Sequence, residues 1–283
     1  MRAVAQMIAI QPEVHLLAVA LCPEPTADPA IVCRGVSKIY ETKDGAFISA
    51  LESINLTIGP GELVTVVGPS GCGKSTLLKI MAGLVPRTAG ELLLAGRPIE
   101  GPRRDVGVVF QSATLLPWRT VLENVMLPID VLDLGRDAFR ERAQKLIDMV
   151  GLTGFEAKYP NELSGGMQQR VALSRALVHD PALLLMDEPF GALDALTRET
   201  MNLELQRIWM EADKTVLLIT HSIPEAVFLG DRVAVMTSRP GKLAEIVSID
   251  IPRPRQLSTM ASPLFGEIVT HIRGLLNVGG HLD

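Results

Sequence analysis

Glu62-Leu-Val-Thr-Val-Val67 runs directly into Gly68-Pro69-Ser70-Gly71-Cys72-Gly73-Lys74-Ser75-Thr76, and Leu77-Leu-Lys-Ile-Met81 follows. The first segment is apolar and β-branched, which predicts a strand. The last predicts a helix. Between them, Gly68 and Gly73 bracket four residues and a Lys-Ser pair closes the run, which is the spacing of a phosphate-binding loop. Strand, glycine loop and helix in that order let backbone N–H groups converge on a phosphate at a helix N-terminus. Glycines let the backbone take positive φ angles and approach the anion closely. Lys74 is expected to neutralise β- and γ-phosphate charge, and the Ser75 hydroxyl to ligate Mg²⁺. Cys72 sits inside the loop, where amide dipoles and Lys74 are expected to lower its thiol pKa; the alternative is a small filler residue.

Working outward, a second segment completes the chemistry. Leu183-Leu-Leu-Met-Asp187-Glu188-Pro189 is an apolar strand ending in two acids, an order that places carboxylates beside the loop at the C-terminal edge of a parallel sheet. Asp187 is expected to hold Mg²⁺, directly or through water. Glu188 is expected to orient or deprotonate the water that attacks the γ-phosphate. Gln111 and His221 also stand at strand ends, after Val106 to Phe110 and Val216 to Thr220.

The rest of the pattern sets the fold class. Ile31 to Tyr40, Ile54 to Ile58 and Glu91 to Ala95 predict strands of an N-terminal antiparallel β subdomain. A helical lobe is expected from about 115 to 180, broken near Gly135, Gly151 and Pro160. Ala182 to Met186 and Val216 to Ile219 flank the amphipathic stretch Ala195 to Ala212, the strand-helix-strand rhythm of a parallel sheet. Arg232 to Ile251 reads as a strand meander and Pro263 to Asn277 as a terminal helix. The expectation is an α/β chain: a P-loop NTPase core over residues 30–255 with the β subdomain and an inserted helical subdomain, then a helical tail over 256–283. Residues 1–29, ending in the proline-punctuated Cys22-Pro-Glu-Pro-Thr-Ala-Asp-Pro29, read as a flexible extension.

Composition narrows the setting. A formal charge of −5 offers no field for attracting a phosphate backbone, so no nucleic-acid partner is expected. The apolar runs fall far short of the ~20 residues a spanning helix needs, so the chain reads as soluble. Gln11, Pro12, Glu13 and His15 interrupt the apolar N-terminus and argue against a signal peptide. Cys22, Cys33 and Cys72 lack metal-ligand spacing and cannot all pair, which fits a reducing compartment, the cytoplasm.

Leu163-Ser164-Gly165-Gly166-Met167-Gln168-Gln169-Arg170 resembles the signature motif of the ABC transporter ATPases. Read by itself, Ser164 caps a helix from Met167 to Val178, and the two glycines leave a second anion-binding N-terminus without a lysine. The resemblance implies more: the signature of one subunit closes over the γ-phosphate held by the other, so an identical subunit is a partner and two composite ATP sites form. It further implies that Tyr40 stacks on adenine, against the alternative of a half-buried strand tyrosine. Gln111 becomes a sensor of Mg²⁺, water and the membrane partner; Asp194 of Gly191-Ala-Leu-Asp194 crosses the dimer interface; His221 contacts the γ-phosphate. Pro189 to Arg198, Leu116-Pro-Trp-Arg119 and Thr237-Ser-Arg-Pro-Gly241 are similar to the branch that imports nitrate, sulfonates and taurine.

That resemblance implies ATP and Mg²⁺ as cofactors, permease subunits as membrane partners, a substrate-binding protein as an indirect one, and a place on the cytoplasmic face of the plasma membrane. Leu115 to Trp118 are expected either to line the docking groove for a permease helix or to pack in the core. The chain ends soon after the meander, so a compact motor without a regulatory C-terminal domain is expected. Two other readings stay in view, a non-transport ABC ATPase and a nucleotide-dependent switch. The absence of sustained heptads opposes the first, and the set Glu188, Gln111 and His221 opposes the second.

Overall fold

The computed structural model describes residues 30–278 apart from residues 192 and 213. The expected extension 1–29 and residues 279–283 of the expected tail lie outside the described residues. Ile31–Glu41 (β1) and Phe47–Ile58 (β2) pair antiparallel, and Leu63–Val67 (β3) leads into Lys74–Met81 (α1). Ala89–Leu94 (β4) and Arg97–Pro98 (β5) complete a sheet of order β2-β1-β4-β5. After Val106–Val109 (β6) come Val121–Val125 (α2), Leu127–Val131 (α3), Arg136–Met149 (α4) and Gly165–Leu177 (α5). Leu183–Asp187 (β7), Ala195–Ala212 (α6), Thr215–Ile219 (β8), Ile223–Leu229 (α7), Arg232–Met236 (β9), Leu243–Ser248 (β10) and Pro263–Val278 (α8) follow.

The second sheet has the order β10-β9-β3-β8-β7-β6, parallel except for the antiparallel edge pair β10 and β9. Its inner strands β3, β8 and β7 are almost wholly apolar and buried because both faces are covered, whereas the edge strand β10 is partly exposed. Successive residues point to opposite faces. Leu63, Val67, Leu184, Met186, Leu218 and Val235 therefore enter one core with α5, α7 and α8. Val64, Val66, Leu185, Leu217 and Ala234 enter another with α1 and the antiparallel sheet. Each buried Leu or Val contributes about 1.5–3 kcal/mol. The α/β layout with a β subdomain and inserted helices is as the sequence predicts.

Boundaries differ in several places, β4 for one starting at Ala89 rather than Glu91. β2 begins at Phe47 rather than Ile54, carried by pairing to β1 in the register Tyr40↔Ile48. Phe47 is 73% exposed and polar residues punctuate the strand, so its composition hides the ladder. α5 begins at Gly165 rather than Met167, because Ser164 Oγ accepts from Met167 N at 3.3 Å and fixes the first turn. The helical lobe breaks where glycine and proline were expected to break it: α4 follows Gly135 at φ +78°, and a 3₁₀ turn spans Pro160–Glu162.

The C-terminal segment is anchored. Arg255, 2% exposed, donates from Nη1 to the Val227, Phe228 and Gly230 carbonyls, satisfying the end of α7. Burial pulls its guanidinium down to about 10. Phe265 and Ile272 of α8 then pack into the core beyond. No helix among the described residues is long and apolar enough to cross a membrane.

Candidate functional site

The phosphate loop lies where β3 ends and α1 begins. Gly73 stands at φ +104°, and a Cβ there would sit 2.7 Å from the Ala50 carbonyl oxygen, so only glycine fits. It caps α1 without a side chain, which leaves the first-turn N–H groups to an anion. Lys74, 7% exposed, donates from Nζ to the Gly68 and Pro69 carbonyls at 2.8 and 3.0 Å, folding the loop around its own ammonium.

The acidic strand end meets this loop. Ser75 Oγ donates to Asp187 Oδ1 at 3.1 Å. Burial pushes the Asp187 carboxyl up; the Ser75 hydrogen bond opposes that and the Glu188 charge adds to it. Glu188 holds φ at +46°, a left-handed conformation that costs a non-glycine residue of order 1–3 kcal/mol. Its N–H donates to the Ile219 carbonyl at 2.9 Å, and its own carbonyl accepts from Gly191 at 3.1 Å. The turn so pinned throws the carboxylate sideways: Oε2 accepts from Gln111 Nε2 at 3.3 Å and lies 3.3 Å from His221 Nδ1.

His221 is aimed from behind. Thr220 donates its hydroxyl to the buried Glu225 carboxylate and accepts from Ser222 N at 3.0 Å, fixing the bend that carries the imidazole. Burial pushes the Glu225 carboxyl up, with the Thr220 hydrogen bond opposing.

Of these groups Lys74, Ser75, Glu188 and His221 line one cleft of about 590 Å³, and Asp187 and Gln111 join it only through their contacts with Ser75 and Glu188. Tyr40, Ile48 and Ala50 form one wall, Ser70, Gly71 and Gly73 to Thr76 the floor, and Glu188 and His221 the far end, with Arg239 also lining it. Tyr40 is 37% exposed, with Lys38 Nζ 4.8 Å from its ring centroid. Gly68 and Pro69 lie behind the floor as carbonyl acceptors for Lys74.

Ser164, Gly165, Gly166 and Asp194 do not line this cleft. Ser164 and Gly165 are exposed at the start of α5. Asp194 accepts from Thr197 N at 3.0 Å and opens α6, which lowers its carboxyl pKa. Yet α5 is wired to the cleft: Gln169 Nε2 donates to the Phe110 carbonyl at 3.1 Å, next to Gln111. Arg175 donates to the Ala113 and Thr114 carbonyls at 2.7 and 2.9 Å. The backbone on both sides of Gln111 is thus hydrogen-bonded to the helix that begins after Ser164.

The expectation of a lowered thiol pKa at Cys72 is corrected. Its side chain is 1% exposed, and burial pushes the thiol up while the more distant Lys74, 4.0 Å away, only partly offsets this. The ammonium is committed to the two carbonyls, so the filler geometry prevails at the side chain. Leu115 divides from Trp118: the former packs partly on the core, the latter is 71% exposed.

Ile48, Ala50, Gln169 and Arg239 belong to the site or its supports and were not singled out from the sequence for those places. Gln169 is 5% exposed, and a glutamine mid-helix on the buried face is a signal that sequence pattern alone treats as noise.

The ABC transporter family model matches residues 51–191. An ABC transporter ATP-binding protein of Methanocaldococcus jannaschii is 50% identical over 245 residues, covering 87% of this chain and 89% of that protein. The chain belongs to the ABC transporter family. The taurine import ATP-binding protein TauB of Burkholderia pseudomallei is 48% identical over 223 residues, 79% of this chain and 85% of its own. Among solved structures, a dimeric ATP-binding cassette in a post-hydrolysis state with ADP and Pi superimposes with a TM-score of 0.69 at 35% identity, covering 78% of this chain and all of that one. As an ABC cassette the chain binds ATP and is an ATPase.

Proposed function

We propose that the chain is the ATP-hydrolysing subunit of an importer for a small anion of the sulfonate class, taurine among them, acting through separate permease subunits. The observation that carries the catalytic part is the Glu188 carboxylate, held by a left-handed turn within 3.3 Å of both Gln111 and His221 beside the phosphate loop. In this reading Glu188 orients and deprotonates the attacking water, His221 meets the γ-phosphate, and Gln111 reports the state of the site to the helical lobe. Tyr40 stacks on adenine. The loop from Gly68 to Thr76 cradles the phosphates, with Cys72 contributing backbone only.

The donor set suits Mg²⁺. A serine hydroxyl and a half-buried aspartate carboxylate stand 3.1 Å apart, hard oxygens of the kind that cation takes together with nucleotide phosphates and water. Ser75 and Asp187 would hold it, with Gln111 as a further protein donor. Bound Mg²⁺ supplies neutralisation of phosphate charge.

Ser164, Gly165, Gly166 and Asp194, exposed or half-exposed and away from their own chain's cleft, are read as the complement to the cleft of an identical subunit. ATP then joins two chains, hydrolysis parts them, and the lobe of about 115–180 transmits the change. Trp118 and Val131, 71% and 74% exposed and next in sequence to the paired Arg119 and Asp130, are read as apolar side chains that the lobe offers to a permease helix. Residues 30–255 serve as the motor and 256–283 as its tail, the whole peripheral to the cytoplasmic face of the plasma membrane. A substrate-binding protein delivers the cargo to the permease.

The testing experiment is reconstitution with the permease subunits that co-purify with this chain, measuring ATP-dependent uptake of labelled taurine and alkanesulfonates. Uptake driven by the wild type and lost in Glu188→Gln supports the reading. ATP turnover without uptake of any such anion would refute the cargo class.

A further inference from the structure

The loop Thr237-Ser-Arg-Pro-Gly241 between β9 and β10 is seated against the phosphate loop. Gly241 N donates to the Ala50 carbonyl at 3.1 Å, and Glu52 N donates to the Gly241 carbonyl at 2.9 Å. A Cβ on Gly241 would lie 2.0 Å from the Cys72 carbonyl oxygen, so the two loops touch backbone to backbone. Lys242 and Glu52 pair at 2.8 Å and fasten the base. From this platform Arg239 reaches into the nucleotide cleft. Its Nε donates to the Gly71 carbonyl at 2.8 Å, and its guanidinium lies over Gly71, the nearest atom 3.5 Å from where a Cβ would be.

Two facts give this cation a task. No carboxylate pairs with Arg239 among the described residues, and its side chain is exposed in the wall of the cleft beside Ser70. Lys74, the cation the motif supplies, already spends Nζ on two loop carbonyls. With Nε committed to Gly71, the terminal amino groups of the guanidinium remain as charged donors, and the cost of ordering the side chain is largely met before a ligand arrives.

We propose that Arg239 binds the phosphate chain of the nucleotide, a second cation that makes affinity depend on phosphate charge. This rests on the ATP reading of the cleft. The guanidinium works from outside the glycine loop while Lys74 works from inside, so the phosphates lie between two positive charges. A charge-assisted hydrogen bond at a partly solvated site corresponds to roughly a tenfold change in affinity.

The test is calorimetric titration of the full chain with MgATP, MgADP and adenosine, on wild type, Arg239→Gln and Arg239→Lys. Arg239→Gln is expected to raise Kd about tenfold for MgATP, less for MgADP and not at all for adenosine, and Arg239→Lys to recover part of the loss. Raising KCl should weaken MgATP binding more steeply in wild type than in Arg239→Gln. A Kd for MgATP within twofold of wild type, or an equal loss for adenosine, would overturn the proposal and leave Arg239 as a brace for Gly71. Wild type that binds no MgATP would instead bring down the ATP reading itself.

Discussion

The two glycine-bearing helix starts of this chain, at α1 and α5, are built differently. At α1 the loop is closed upon itself: Lys74 is folded onto Gly68 and Pro69, Ser75 onto Asp187, and Glu188 onto Gln111 and His221. At α5 the helix start has only its own cap. Ser164 spends its hydroxyl on its own first turn, and Ser164 and Gly165 face solvent with no catalytic group of their chain beside them. In the proposed reading one half is a pre-organised pocket and the other a lid for the pocket of a second copy, which would make a single chain half of a two-site machine.

The largest effect should come from breaking the pocket. Glu188→Gln is expected to retain ATP binding and lose phosphate release by roughly 10²-fold or more, measured on purified protein. Next is breaking the lid. Ser164→Arg should leave the Kd for MgATP of the isolated chain unchanged and cut turnover at least about tenfold, the scale of one lost charge-assisted contact. Unchanged turnover would mean that α5 closes over nothing.

The wiring between the halves can be cut as well. Gln169→Leu leaves the Phe110 carbonyl without its partner and is expected to cost about 1–3 kcal/mol in urea unfolding. Its diagnostic sign is a loss of turnover larger than any loss of ATP affinity, since the link ties α5 to the Phe110 carbonyl, one residue before Gln111. The smallest effect concerns Cys72. Burial raises its pKa, so the thiolate is scarce at neutral pH and grows only as pH rises above the ordinary thiol range. Alkylation followed by peptide mass spectrometry should be slow at pH 7 with or without MgATP, and rapid ATP-protected labelling would contradict the buried geometry.

Most of this comparison is legible in the sequence, because each half is a short glycine-bearing turn opening a helix or an acidic strand end, with its chemistry in consecutive residues. Gly68 to Thr76, Asp187-Glu188 and Ser164 to Gly166 are of that kind. What is hidden depends on contacts between distant segments. The early start of β2 is set by its register with β1, and Ile48 and Ala50 reach the cleft only through it. Arg239 sits 168 residues from the carbonyl it grips, and nothing in its neighbours marks the approach. At Cys72 the sequence shows a lysine two residues on and cannot show that its ammonium is taken by carbonyls. The left-handed φ of Glu188 is equally silent, since an acid before proline is an ordinary dipeptide.

The claim that the lid belongs to another chain's pocket is tested most directly by sedimentation velocity of Glu188→Gln with and without MgATP, alongside the double variant Glu188→Gln, Ser164→Arg. The expected result is a monomer without nucleotide, a dimer with MgATP, and a monomer in the double variant under both conditions. A Glu188→Gln chain that stays monomeric while saturated with MgATP, or a double variant that dimerises as well as the single one, would contradict it.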